Sequence, residues 1–303
     1  MRTAFIETLC ELACQDDRIW LLTGDLGFSV LEGFAARFPE RYLNAGVAEQ
    51  NMTGISAGLA LCGNTVFTYS IANFPVMRCF EQVRNDVCYH NLNVKIVAVG
   101  GGLAYGSAGY THHAVEDLAV MRVLPNMVVL APGDPIEVRL ATRAMAAWNG
   151  PCYLRLEKTG EPAVHRIEPV FEIGKAIPVR DGSDITLIST GGVLRLAVEA
   201  SDQLAGCGLT AAILSMPCVQ PLDEAAVLEA ARRTGRVITI EEHGHGGLGS
   251  AVAEVLASAG IAVKFMPMCL RGGPSGLAGT QDALRSAAGI SVTGILEAVG
   301  SLM

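Results

Sequence analysis

Charge is scarce in this sequence: 17% of its 303 residues are Asp, Glu, Lys or Arg, while 50% are hydrophobic. That scarcity argues against disorder and for a globular chain with much surface buried, part of it against another subunit. Positive charge is the scarcer sign, with a net charge of −8. No basic stripe interleaved with aromatics is present, which argues against a nucleic-acid partner. There is no C-x-x-C pair. The nine cysteines, Cys10, Cys14, Cys62, Cys79, Cys88, Cys152, Cys207, Cys218 and Cys269, are odd in number. Several lie inside apolar runs, as reduced thiols of a cytosolic protein do. A charge-free leader is missing too, because acids interrupt "MRTAFIETLCELACQDD" at once. No internal repeat is found.

The one long neutral stretch runs from Gln50 to Met77. Its length would suit a membrane helix, but "CGNTV" breaks it with a Gly-Asn turn and "YSIANFP" adds polar groups and a proline. It therefore reads as a buried helix followed by a buried strand, with no membrane span.

Short apolar strands alternate with helical spacing along the chain. "IWLLTGD", "YLNAG", "TVFTYS", "VKIVAVGGG", "MVVLAP" and "CYLRLEK" are strand segments. Helices fall at 3–15, from "AEQNMTGISAGLALCG", at 75–89, from "VEDLAVMRVLP" and from "DPIEVRLATRAMAAW". Wholly apolar strands between helices imply a mostly parallel sheet covered on both faces. The Pro-, Glu- and Gly-rich stretch around 160–178 interrupts the alternation. Beyond it "DITLISTGG", "LTAAILSM", "RVITIEE" and "AVKFMPM" are strands, separated by helices near 193–205, 223–233 and 248–259. The expected architecture is two three-layer α/β/α domains, 1–165 and 179–303, joined by a linker at 166–178.

Five segments carry polar chemistry. "GDLG" at 24–27 follows a strand, and Asn51 lies at a distance similar to that in the Gly-Asp-Gly…Asn metal–diphosphate signature. Leu26 breaks the pattern, and Asn51 falls inside a helix. "VGGGLAYG" is a poor dinucleotide fingerprint, since no helix follows it at once and no acid closes a second strand. "EEHGHGG" at 241–247 offers Glu241, Glu242, His243 and His245, but no further cluster completes a metal site, so a polar strand-end loop is the simpler reading. His112-His113 sits in the glycine-rich loop after a strand, at the sheet end where ligands gather. Glu49, in "NAGVAEQN", is a lone acid at the mouth of the neutral stretch. A helix-end carboxylate stabilised by the dipole would explain its position, but not the neutral helix behind it or the "ANF" segment that follows.

Together "RFPERYLNAGVAEQNMTGISAGLAL", "YSIANFPVMRCFEQVRNDV", "GSAGYTHHAVEDLAVMRVLPNMVVLAPGDP" and "CYLRLEK" resemble the C-terminal half of transketolase, its pyrimidine-binding and C-terminal domains. The resemblance spans essentially the whole chain, with the motifs in family order. It implies the second subunit of a split transketolase in the cytoplasm, working with a separate diphosphate-binding subunit that corresponds to the N-terminal half, as α2β2. It also implies thiamine diphosphate with Mg2+ (or Ca2+), held mainly by that partner, so that no metal ligand falls in this chain. In the family, the glutamate matched by Glu49 bonds N1′ of the aminopyrimidine and promotes loss of the thiazolium C2 proton. Such a carboxyl must share a proton near neutral pH, and burial among apolar neighbours would help. Phe74 matches the aromatic that stacks on the pyrimidine, Asp25 an aspartate near the cofactor, and His112 the substrate-facing histidine. Arg2, Ser29 and Arg155 match contacts to the substrate's phosphate.

Two positions depart from the family. Ala108 stands where an aspartate recognises a donor hydroxyl, and Gly100 where a further histidine touches the sugar. The small-molecule donor is therefore left open. A second reading is the β subunit of a 2-oxo-acid decarboxylating enzyme or a synthase with a non-sugar acceptor. A third, from another class, is a cofactor-free scaffold, against which Glu49, Phe74 and His112 together argue.

Overall fold

Two mostly parallel sheets carry the chain in the computed structural model, which describes residues 1–158, 160–271 and 277–303. The first sheet is built from β1 (Ile19–Thr23), β2 (Tyr42–Asn44), β3 (Thr65–Ile71), β4 (Val94–Val99), β5 (Val128–Leu130) and β6 (Cys152–Leu156). The second is built from β7 (Ile177–Arg180), β8 (Ile185–Ser189), β9 (Ala211–Ser215), β11 (Arg236–Ile240) and β12 (Lys264–Met268). Between β9 and β11 lies β10 (Cys218–Gln220), which belongs to the first sheet.

Strand order in the first sheet is β10-β5-β6-β4-β3-β1-β2, and in the second β12-β11-β8-β9-β7. The central strands β3, β4 and β6 are mostly β-branched or apolar, with Ser70, Lys95 and Arg155 as exceptions, and are buried almost throughout, as strands covered on both faces must be. One face packs on α1 (Arg2–Gln15) and the helix Pro135–Ala147, with Phe5, Leu9, Phe67, Val97 and Met145 in the core between them. The other face packs on the helical segment after β3 and the helix Asp117–Arg122. The three-layer expectation holds for both sheets.

Three local readings change. The helix expected at 75–89 is wound as wide five-residue turns at Phe74–Arg78 and Val83–Cys88 around a short α-helical piece. β7 starts at Ile177, inside the span read as linker. β10 pairs antiparallel with β5 at the edge of the other domain's sheet. It is three residues long between Pro217 and Pro221, too short for periodicity to mark. Among the described residues no helix is long and apolar enough to cross a membrane. A short helix, α2 (Glu32–Arg37), lies between β1 and β2. Residues 50–77 form α3 (Glu49–Leu61), a Gly-Asn turn, β3 and the first wide turn.

Candidate active site

β1, β3 and β4 are neighbours and parallel, so the loops after them leave the same edge of the sheet side by side. Those loops carry Gly24–Asp25, Asn73–Phe74 and Gly100–His113. α3 begins beside them with Glu49, and Gly24 lies against the Glu49 side chain. The helix dipole favours an anion at this position.

Glu49 is 3% exposed, but it is not isolated among apolar groups. The first charged residue beyond the neutral stretch, Arg78, turns back on it. Arg78 Nη1 lies 3.0 Å from each carboxylate oxygen. The same guanidinium sits 3.8 Å from the Phe74 ring centroid. An open cavity of about 550 Å3 adjoins the pair, lined by Val47, Ala48, Glu49, Gln50, Asn51 and Arg78. The expected low-dielectric setting of the acid is thus replaced by an ion pair with a half-exposed arginine. The F-x-x-x-R spacing carries a signal for the Arg78–Phe74 contact, because residues four apart lie on one side of a helical turn; nothing local marks the pairing with Glu49.

The wall continues from Phe74 to His112, whose rings meet edge-on at 5.4 Å, and on to Tyr105, 5.8 Å from His112. Asn73 Nδ2 donates to the Thr111 carbonyl at 2.6 Å and ties the two loops together. Thr111 Oγ1 lies 3.0 Å from His112 Nδ1, which leaves Nε2 as the ring nitrogen open to a ligand. His113 is turned inward, with Nε2 bonded to the Gly106 carbonyl at 2.9 Å. Ala108 is exposed on the same loop.

Tyr105 and Lys158 were not singled out by the sequence reading. Gly100 has φ +83°, and any side chain there would run into the Tyr105 ring. Tyr105 thus fills the space next to the glycine. Lys158 Nζ lies 5.0 Å from the Tyr105 ring centroid, on the exposed side. It stands two residues past the end of β6, at the carboxyl end of a strand where ligands gather, and that position was its signal. Arg2 is half-buried in the first turn of α1, with its charge next to the Tyr69 and Tyr105 phenols and its Nε without a hydrogen-bond partner. Asp25, at φ +59°, pairs with Asn44: its backbone N–H donates to Asn44 Oδ1 at 3.0 Å, and Asn44 Nδ2 donates back at 2.9 Å. Ser29 is exposed, its backbone N–H donating to Glu32 Oε1 at 2.7 Å.

Arg155 is not in this wall. It is 5% exposed, and Nη2 donates to the carbonyls of Ala114 at 2.7 Å and Glu242 at 2.9 Å. Nε lies 3.1 Å from Asp117 Oδ2, and the side chain fills the space over Gly101. Nη2 is thus taken up in the seam between the domains, while Nε faces Asp117 without a hydrogen bond. The "EEHG" segment lies in the same seam. Glu241 accepts the Leu248 and Gly249 N–H groups at 2.7 Å each, and burial pushes its carboxyl up to about 7. Glu242 is raised by burial and by the Glu157 carboxylate, against the Arg285 guanidinium. His243 is pushed down to about 4 by burial and accepts the Leu118 N–H on Nε2 at 3.1 Å. No three His, Cys, Asp or Glu side chains converge as metal ligands among the described residues.

Residues 1–161 match the family model for the transketolase pyrimidine-binding domain, and residues 174–295 match that for the transketolase C-terminal domain. The chain belongs to the transketolase family. It is 40% identical over 268 residues to one of the subunits of an apulose-4-phosphate transketolase from Phocaeicola vulgatus, covering 88% of this chain and 86% of that one. It is also 40% identical over 258 residues to a 6-deoxy-6-sulfo-D-fructose transketolase subunit of a Clostridium species, covering 84% and 80%. A solved split-gene transketolase, an inactive β4 tetramer, superposes with a TM-score of 0.90 at 38% identity, over 99% of this chain and 97% of that one. The chain is a subunit of a split transketolase, and the first of the enzyme readings stands over the 2-oxo-acid one.

Proposed function

We propose that this subunit holds the aminopyrimidine half of thiamine diphosphate between Glu49 and Phe74, and presents a ketose donor with an anionic tail to it for two-carbon ketol transfer. One observation carries the reading. A flat group with N–H donors already lies over Phe74 and bonds both oxygens of Glu49, namely the Arg78 guanidinium. An aminopyrimidine is likewise flat and needs the same two contacts. The site therefore fits the ring, once Arg78 moves aside.

When bound, the cofactor supplies the electron sink for carbanion chemistry. Glu49 shares a proton with the ring nitrogen, and Phe74 adds about 1 kcal/mol of stacking beyond burial. Asp25, beside Gly24, borders the ring. His112 faces the donor through Nε2 and moves protons at its hydroxyl or carbonyl oxygen. Arg2, Ser29 and Lys158 hold the anionic tail around Tyr105. The Mg2+ (or Ca2+) and the diphosphate belong to the N-terminal-half subunit.

That subunit has a surface to meet. α3 leaves Asn51, Gly54, Gly58 and Leu61 exposed on one face, and nothing in this chain lies within 4 Å of a Cβ built on either glycine. The close approach that so many small residues imply must come from another chain, and an α2β2 assembly would supply it. All nine thiols are free, which supports a reducing, cytoplasmic location.

The test is Glu49→Gln in the assembled two-subunit enzyme, read as exchange of the thiazolium C2 proton. Gln keeps the shape but cannot share a proton, so exchange should fall at least ~100-fold, the low end for a lost acid–base group. Near-normal exchange would reduce Glu49 to a helix-end carboxylate.

A further inference from the structure

The loop that carries Tyr105 and His112 has a narrow neck. Gly102 and Ala114 bond each other in both directions, at 2.8 and 3.0 Å. Everything between them projects from that neck, and His112 lies two residues from it. The neck rests on the second domain, at the motif the sequence showed as "EEHG". Glu242 Oε1 accepts the Leu103 N–H at 2.7 Å. Gly244 N–H donates to the Val115 carbonyl at 2.7 Å. Arg155 Nη2 bridges the Ala114 and Glu242 carbonyls.

Glu242 is itself held. It is 2% exposed, and its other oxygen accepts Arg285 Nε at 2.6 Å. Gln281 Nε2 lies 3.1 and 3.2 Å from its two oxygens. Gly102, at φ +61°, lies so close that any side chain would strike the Glu242 carboxylate. Both sides of the neck are thus bonded to one three-residue segment, whose leading acid is fixed from behind by the helix Gln281–Ala287.

We propose that the Glu242-His243-Gly244 segment of the second domain is a clamp on the neck of the His112 loop, and that Glu242 is a positioning residue for His112. This rests on the reading of His112 as the substrate-facing group. A carboxylate that only joined the two domains would not need to take a backbone donor from the loop. Bound there, it sets where the loop leaves the sheet.

The experiment uses the two-subunit enzyme with Glu242→Met, which keeps the bulk and removes the acceptor, and Glu242→Gln, whose amide oxygen still accepts from Leu103. His112→Ala and the double variant His112→Ala/Glu242→Met complete a cycle. Glu242→Met should raise donor KM about tenfold or more while the Kd for thiamine diphosphate stays within twofold. Glu242→Gln, which keeps the acceptor for Leu103 but turns its NH2 toward the Arg285 donors, should lose less than Glu242→Met. The double variant should be no worse than His112→Ala. Amide hydrogen exchange should quicken in Glu242→Met over 103–116, with α3 unchanged. Multiplying effects in the cycle, or equal losses of cofactor and donor binding, would leave Glu242 a domain-joining residue and overturn the clamp. If His112→Ala alone left turnover intact, the site reading would fall, while hydrogen exchange would still decide the clamp. Should Glu242→Met not fold, Gly102→Ala displaces the carboxylate with every charge kept, and the same readouts apply.

Discussion

Arg78 Nη1 stands 3.0 Å from both carboxylate oxygens of Glu49, across a separation of 29 residues. The acid at the mouth of the neutral stretch is paired with the first charge that ends it. Because the same guanidinium covers Phe74, a ligand that needs both residues has to displace it.

Removing Arg78 therefore should help the cofactor bind. An ion pair with a half-exposed partner is worth at most about 1 kcal/mol after screening, and an exposed cation–π contact about 0.5–1 kcal/mol. Arg78→Met in the assembled enzyme should tighten thiamine diphosphate binding about three- to tenfold, measured by titration. Weaker binding would show that Arg78 grips the ring instead of standing in for it.

Lys158 is assigned to the anionic tail of the donor. A hydrogen bond to a charged group is worth about 1.5–3 kcal/mol, so Lys158→Ala should raise KM for a phosphorylated donor by roughly 10- to 100-fold. KM for its unphosphorylated analogue should not move. Equal effects on both donors would place Lys158 outside the tail's reach.

Ala108 is exposed on the loop of His112, at the position where the resemblance leads one to expect an acid that reads a hydroxyl. The loop has room for the longer side chain. Ala108→Asp should sharpen discrimination between donors epimeric at that carbon, by roughly 1–3 kcal/mol in kcat/KM. If wild type already separates the epimers as strongly, another residue reads that position.

The seam between the domains makes stability depend on pH. Burial raises Glu241 from 4.5 to about 7, so the folded chain holds a proton there that the unfolded chain has lost. That stability is present below pH 4.5 and disappears as pH rises through 7, about 3 kcal/mol at most. Glu242, raised likewise, acts in the same direction. His243, lowered from 6.5 to about 4, acts oppositely, stabilising as pH rises from 4 to 6.5. Two acids against one histidine leave a net fall. The melting temperature should drop between pH 5 and pH 8, and Glu241→Gln should flatten the drop. A variant curve parallel to wild type would remove Glu241 as its source.

The architecture was legible in the sequence because it is written locally. Apolar runs such as "VKIVAV" between turn residues can only be strands buried on both faces, and the helices between them force parallel connections. Glu49, Phe74 and His112 were legible as candidates because each lies where a strand ends or a helix begins, and such ends are where a sheet presents its ligands. Arg155 had the same credentials and a different fate. Its side of β6 faces the second domain near Glu242, 87 residues away, and nothing in "YLRLEK" says which residues will sit opposite. Tyr105 over Gly100, Lys158 beside Tyr105, and the grip of Glu242 on Leu103 are likewise partnerships between distant segments. Spacing determines which way a side chain points from its own strand or helix. Only the packing of the two domains decides what it meets there, and so whether a charge is turned into the seam or toward open solvent.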